Sequence, residues 1–112
     1  MRYHIRLPDP SAARGDIPEL AFHSHGADGF AEELQQALRT RTLFDRWNAR
    51  QDDPEDVDPA LASIDPNAVV TGQQHDLHID LTVDTQLPST VLRHRLHLLA
   101  GDHWQLCDVT PD

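Results

Sequence analysis

At 112 residues the chain has the length of one domain, enough for a single core and too short for two. Its formal net charge of −10 repels phosphate backbones, which disfavours nucleic-acid binding, and attracts basic partners. All nine basic residues are arginine, so lysine chemistry (Schiff bases, phosphate-loop lysines) is absent, and the single Cys107 forbids an internal disulfide.

Tyr3, Ile5 and Leu7 alternate with Arg2, His4 and Arg6, a period of two that predicts a first strand ended by Pro8-Asp9-Pro10. Leu20 and Phe22 alternate with Ala21 and His23, predicting a short second strand over 20–24 paired with the first. Gly26-Ala27-Asp28-Gly29 then punctuates the chain before a helix, with Asp28 as the expected N-cap. Phe30, Leu34, Ala37 and Leu38 form an apolar stripe at helical spacing. The period falters at Thr40-Arg41-Thr42 and resumes with Leu43, Phe44 and Trp47. One kinked helix or two in series, ending near Arg50, follows from this.

Residues 51–67 read as an acidic, proline-containing connector with one helical turn around Pro59 to Ser63. Val69 and Val70, stopped by Gly72, predict a short strand. From His75 to Leu99 apolar and polar residues alternate almost throughout. Leu77, Ile79, Leu81 and Val83 oppose Asp76, His78, Asp80, Thr82 and Asp84; after Leu87-Pro88-Ser89, Leu92, Leu96 and Leu98 oppose Arg93, Arg95 and His97. The expected structure is a long hairpin, followed beyond Ala100-Gly101-Asp102 by a last strand from about Trp104 to Val109. The fold class is α+β: a mostly antiparallel sheet, with an N-terminal strand pair and a C-terminal meander of three or four strands, packed on the helical segment.

Two constellations carry the functional expectations. Closing the hairpin with Asp80 opposite Arg95 sets Thr82 against Arg93 and His78 against His97. Asp76, His78, Asp80, Arg93, Arg95 and His97 then form a polar sheet face, held by ion pairs of about 0.2–1 kcal/mol each. This is a solvated face first and a recognition surface second. His94 falls on the leucine side, where Asp108 of the last strand is expected opposite it. Such a buried pair needs mutual satisfaction and has the makings of a general base, with Phe44, Trp47 and Trp104 lining a helix–sheet pocket around it.

No cysteine pair or HExxH helix accompanies the eight histidines, so no metal and no cofactor is expected. The N-terminus lacks an apolar run of signal-peptide length, and no segment reaches the roughly 20 apolar residues that span a bilayer. No membrane association and a cytoplasmic location are therefore expected, and the arginine-only usage suits a GC-rich bacterial genome. The functional expectation is a non-catalytic protein-interaction module acting on a basic partner or on a second copy of itself. A small-ligand or simple enzymatic domain built on His94 and Asp108 is the competing reading.

Overall fold

The computed structural model describes residues 1–111. The first strand, β1 (Arg2–Leu7), follows its alternation: Tyr3, Ile5 and Leu7 are buried, while Arg2, His4 and Arg6 stand on the opposite face. Two helices in series come next, α1 (Ala27–Arg39) and α2 (Thr42–Asn48). Gly26 occupies the α1 N-cap position, and Asp28 lies one residue inside the first turn, where the helix dipole still favours its charge. Phe30, Leu34, Ala37 and Leu38 are all buried, as their spacing requires. In the connector, Pro54–Asp56 and Pro59–Ala62 form short 3₁₀ turns, the second capped by Asp58, which accepts from the Ala60 N–H at 2.9 Å.

The hairpin lies earlier than the alternation suggests. It joins β2 (Val69–His75) to β3 (His78–Asp84), pairing Val70 with Val83, Gly72 with Leu81 and His75 with His78. Gly72 does not stop the strand. It sits beneath the start of α1, where a Cβ would fall 2.5 Å from the Ala27 carbonyl oxygen, so only glycine admits the helix this closely. The turn is Asp76-Leu77, with Asp76 at φ 51° and Leu77 86% exposed rather than in the apolar layer.

The expected second arm of the hairpin is instead a helix, α3 (Ser89–Ala100). Val91, Leu92, Arg95, Leu96 and Leu99 are buried at the 1-3-1-3 spacing that belongs to a helix, and Leu98 and Ala100 join them in its last turn. Gly101 ends it at φ 63°, donating to the His97 carbonyl at 2.9 Å. The last strand, β4 (Gln105–Thr110), pairs with β1, and a bulge between Ile5 and His4 leaves Cys107 as the extra residue. Residues 20–24 form no strand. Leu20 and Phe22 are buried as expected, but the Phe22 N–H goes to the Leu99 carbonyl and those of His23 and Ser24 to the Glu33 carboxylate.

The result is an α+β fold with one antiparallel sheet in the order β2-β3-β1-β4. The chain order β-α-α-β-β-α-β builds two split βαβ units, the ferredoxin-like arrangement. Tyr3, Ile5, Leu7, Ile79, Leu81 and Val83 pack beneath Phe30, Leu34, Leu92 and Leu96 on one face of the sheet. The other face, built from Arg2, His4, Arg6, Thr71, Gln73, Asp80 and Thr82, carries no helix among the described residues. Among the described residues, no helix is long and apolar enough to cross a membrane.

Candidate functional site

The open sheet face has the expected charge pairing with different partners. β1, rather than α3, lies beside β3, so Asp80 stands opposite Arg6, Thr82 opposite His4, and Asp84 opposite Arg2. Arg6 Nε donates to Asp80 Oδ1 at 3.0 Å and Arg2 Nε to Asp84 Oδ1 at 2.8 Å. The other Asp80 oxygen lies 3.4 Å from His78 Nε2 and 3.5 Å from His75 Nε2, and the two imidazoles stack at 5.5 Å. Partial burial alone pushes the Asp80 carboxyl up; the hydrogen bond and charge of Arg6, helped by His78 and His75, reverse this and hold it below the usual carboxylate range. The hydrogen bond to Asp80 raises Arg6 in turn. These charges satisfy one another. A concavity of about 230 Å³ beside them is lined by His4, Arg6, Gln73, Asp80, Thr82 and Cys107, and among the described residues no group of three or more His, Cys, Asp or Glu side chains is placed to hold a metal.

The remaining members of the expected polar face leave it with α3. Arg93 and His97 are exposed on that helix, Arg93 lying 5.9 Å from the centre of the Trp104 ring. Arg95 turns inward and is 0% exposed; among the described residues it has no ion pair, and only the more distant charge of Asp45 favours its cation. Its Nε donates to the Ala37 carbonyl at 3.1 Å, Nη1 to Leu61 at 2.6 Å and Nη2 to Ser63 at 3.1 Å. Ala37 lies in the last turn of α1, where carbonyls lack an intrahelical partner and the helix dipole favours a cation. Burial lowers the Arg95 pKa, and the Phe44 ring 5.5 Å away completes its surroundings. Arg95 is a structural clamp joining α3, α1 and the connector.

His94 and Asp108 do not meet. His94 packs edge-on against Trp47 at 4.4 Å and near Phe44 at 6.4 Å, and neither of its ring nitrogens has a hydrogen-bond partner. Burial first, then the charges of Arg95 and His97, push it down to about 4. Asp108 is exposed on β4 opposite His4, with Oδ1 accepting from the Val109 N–H. Trp104 donates from Nε1 to the Gly101 carbonyl, away from this cluster. The expected lining therefore divides: Phe44, Trp47 and His94 come together, and Trp104 and Asp108 do not join them. The carboxylate-oriented base expected of His94 and Asp108 is therefore not assembled.

A further concavity lies away from both constellations expected from the sequence. A groove of about 350 Å³ runs along one side of α1 (Gly29, Glu32, Glu33, Gln36 and Ala37) to its C-cap Thr40, with 19–24 as the opposite wall and Thr42, Leu43 and Arg46 of α2 at its end. Leu20, Ala21, Ala37, Leu43 and Leu99 make an apolar floor. Glu33 fastens the two walls together, accepting from the N–H groups of His23 at 2.9 Å and Ser24 at 3.1 Å. Glu19 is bonded to Arg50, whereas Glu32 and Arg46 have no ionic partner among the described residues. Its sequence signal was slight: Gly29, Glu32, Glu33 and Gln36 lie beside the core stripe of α1, and Ala37 belongs to that stripe itself. No protein-family model matches the chain, and neither does any curated protein or solved structure.

Proposed function

We propose that the chain is a non-catalytic protein-interaction module that holds a basic segment of a partner protein in the groove between α1, α2 and residues 19–24. The observation that carries this reading is the combination of an apolar floor with a rim of three carboxylates, Glu19, Glu32 and Glu33, against one arginine, Arg46. An apolar concavity exposed to water is the surface with most to gain from a partner, and its rim decides which partner approaches. The net charge of −10 draws basic chains from a distance. The open sheet face is a poorer candidate, because Arg2, Arg6, Asp80 and Asp84 already satisfy each other there. It also presents no Phe, Tyr or Trp on which bases would stack, which favours a protein over a nucleic acid.

The test uses a photo-crosslinking residue at position 36, on the exposed rim, in cells that express the chain. A basic protein should be joined there, release as salt rises, and be lost from the Glu32→Arg variant. Partners retained by that variant, or captured equally at high salt, overturn the reading. Sedimentation at rising concentration separates the other occupant. A monomer throughout supports a foreign partner, and a dimer abolished by Glu32→Arg assigns the groove to a second copy.

A further inference from the structure

Resting on that reading, we infer that the segment the groove accepts is an amphipathic α-helix with arginine or lysine along its flanks, not an extended peptide. The first argument is the fate of the groove's own amides. A strand added to a protein edge needs both N–H donors and carbonyl acceptors along that edge. Residues 20–24, a turn at Leu20 and Ala21 that runs on into irregular chain, are the non-helical wall, and each of their N–H groups is already committed. Those of Leu20 and Ala21 go to the Ile17 carbonyl, that of Phe22 to Leu99, and those of His23 and Ser24 to Glu33. The opposite wall is α1, whose main chain is bonded within itself. An extended occupant would keep half of its ladder bonds unmade. A helix brings its own backbone bonds and asks the groove only for side-chain contacts.

The second argument is shape. The lining runs along α1 from Gly29 to the C-cap Thr40, eleven residues apart, or about 16 Å at 1.5 Å per residue. That length accommodates about three helical turns. Small residues keep the walls apart at Ala37 on α1 and Ala21 opposite, while at Gly29 the walls themselves meet, since a Cβ there would fall 2.5 Å from the Ser24 hydroxyl. Leu20, Leu43 and Leu99 supply the apolar contacts between them, which suits leucine-sized side chains at i, i+3, i+4 and i+7. Charge fixes the flanks. Glu32 on one wall has no ionic partner among the described residues, and Glu19 on the other is bonded only to the exposed Arg50, so an incoming cation can meet both walls.

The probe is a fluorescein-labelled, end-blocked peptide of four turns with leucines at those positions and arginines on both flanks. It is compared with the same peptide carrying a central proline and with one carrying glutamates for the arginines. Anisotropy against the full chain at physiological salt should show the helical peptide binding at least about tenfold more tightly than either control. Amide shifts should move at Gly29, Glu32, Gln36 and Thr40, and Gln36→Trp, an exposed position that covers the floor, should weaken binding by about tenfold as well. Equal binding of the proline peptide overturns the helical occupant. So does the failure of every peptide to move groove resonances, even at millimolar concentration. Neither result touches the crosslink at position 36, which alone decides whether the groove holds a partner.

Discussion

The two faces of the sheet treat ionic side chains in opposite ways. On the open face Arg6 meets a carboxylate, Asp80, in partial contact with water. On the helical face Arg95 is completely enclosed and gives its hydrogen bonds to carbonyl oxygens, those of Ala37, Leu61 and Ser63. The arginine with the formal ion pair is the less important one, because exposed pairs are screened and compete with hydration, whereas an enclosed cation has no solvent to fall back on. The largest effect on stability is therefore expected at Arg95. Arg95→Met keeps the length of the side chain but strands carbonyls of the last turn of α1 and of the connector, and should cost about 3 kcal/mol in urea unfolding. Arg95→Lys, a point charge without the planar fork, should recover less than half of that. If Arg95→Met unfolds at the wild-type urea concentration, the clamp does not exist.

His94 sharpens the contrast from the same helix. Its folded-state pKa near 4 lies below the ordinary 6.5, so the unfolded chain takes up a proton first. The stability associated with the neutral ring is fully present above pH 6.5 and is lost as pH falls through about 4. His94→Leu removes both the titration and two nitrogens without partners. At pH 7 the variant should match or slightly exceed the wild type. Between pH 7 and pH 4 the wild type should lose about 2 kcal/mol relative to it, partial exposure reducing the full shift. Parallel stability curves across that range would mean that the imidazole against Trp47 is hydrated.

Arg95 and His94 also explain how far the sequence could be read. β1 and β3 were legible because one face of each is wet and the other dry, so Tyr3, Ile5, Leu7, Ile79, Leu81 and Val83 obey a strict period of two. The stripe of α1 was legible for the matching reason. α3 was not, since Leu92, Leu96 and Leu98 satisfy a strand, while the helical set of Val91, Leu92, Arg95, Leu96 and Leu99 requires an arginine inside. Periodicity sends arginine outward, and only the three-dimensional convergence of orphan carbonyls brings it in. Moving α3 out of the sheet also moved Arg93, Arg95 and His97 off the polar face and separated His94 from Asp108. The groove was illegible because its walls come from three segments, one of which, 20–24, imitates a strand while giving its amides to Leu99 and Glu33.

The smallest effect is expected on the open face, at Asp80. Asp80→Asn keeps the shape of the side chain and removes the charge shared by Arg6, His75 and His78, so at pH 7 it should cost less than about 1 kcal/mol. The pH dependence is more informative than the size. Because the carboxyl is held below its usual range, its contribution is present above the unfolded value of about 3.9 and disappears as pH falls through the lower folded value. The wild-type and variant curves should therefore run apart at neutral pH and meet in acid, and high salt should close the same gap at pH 7. A loss that matched Arg95→Met, or that persisted in acid, would mean that this face is covered by something other than water, and the claim of the groove to be the docking surface would weaken accordingly.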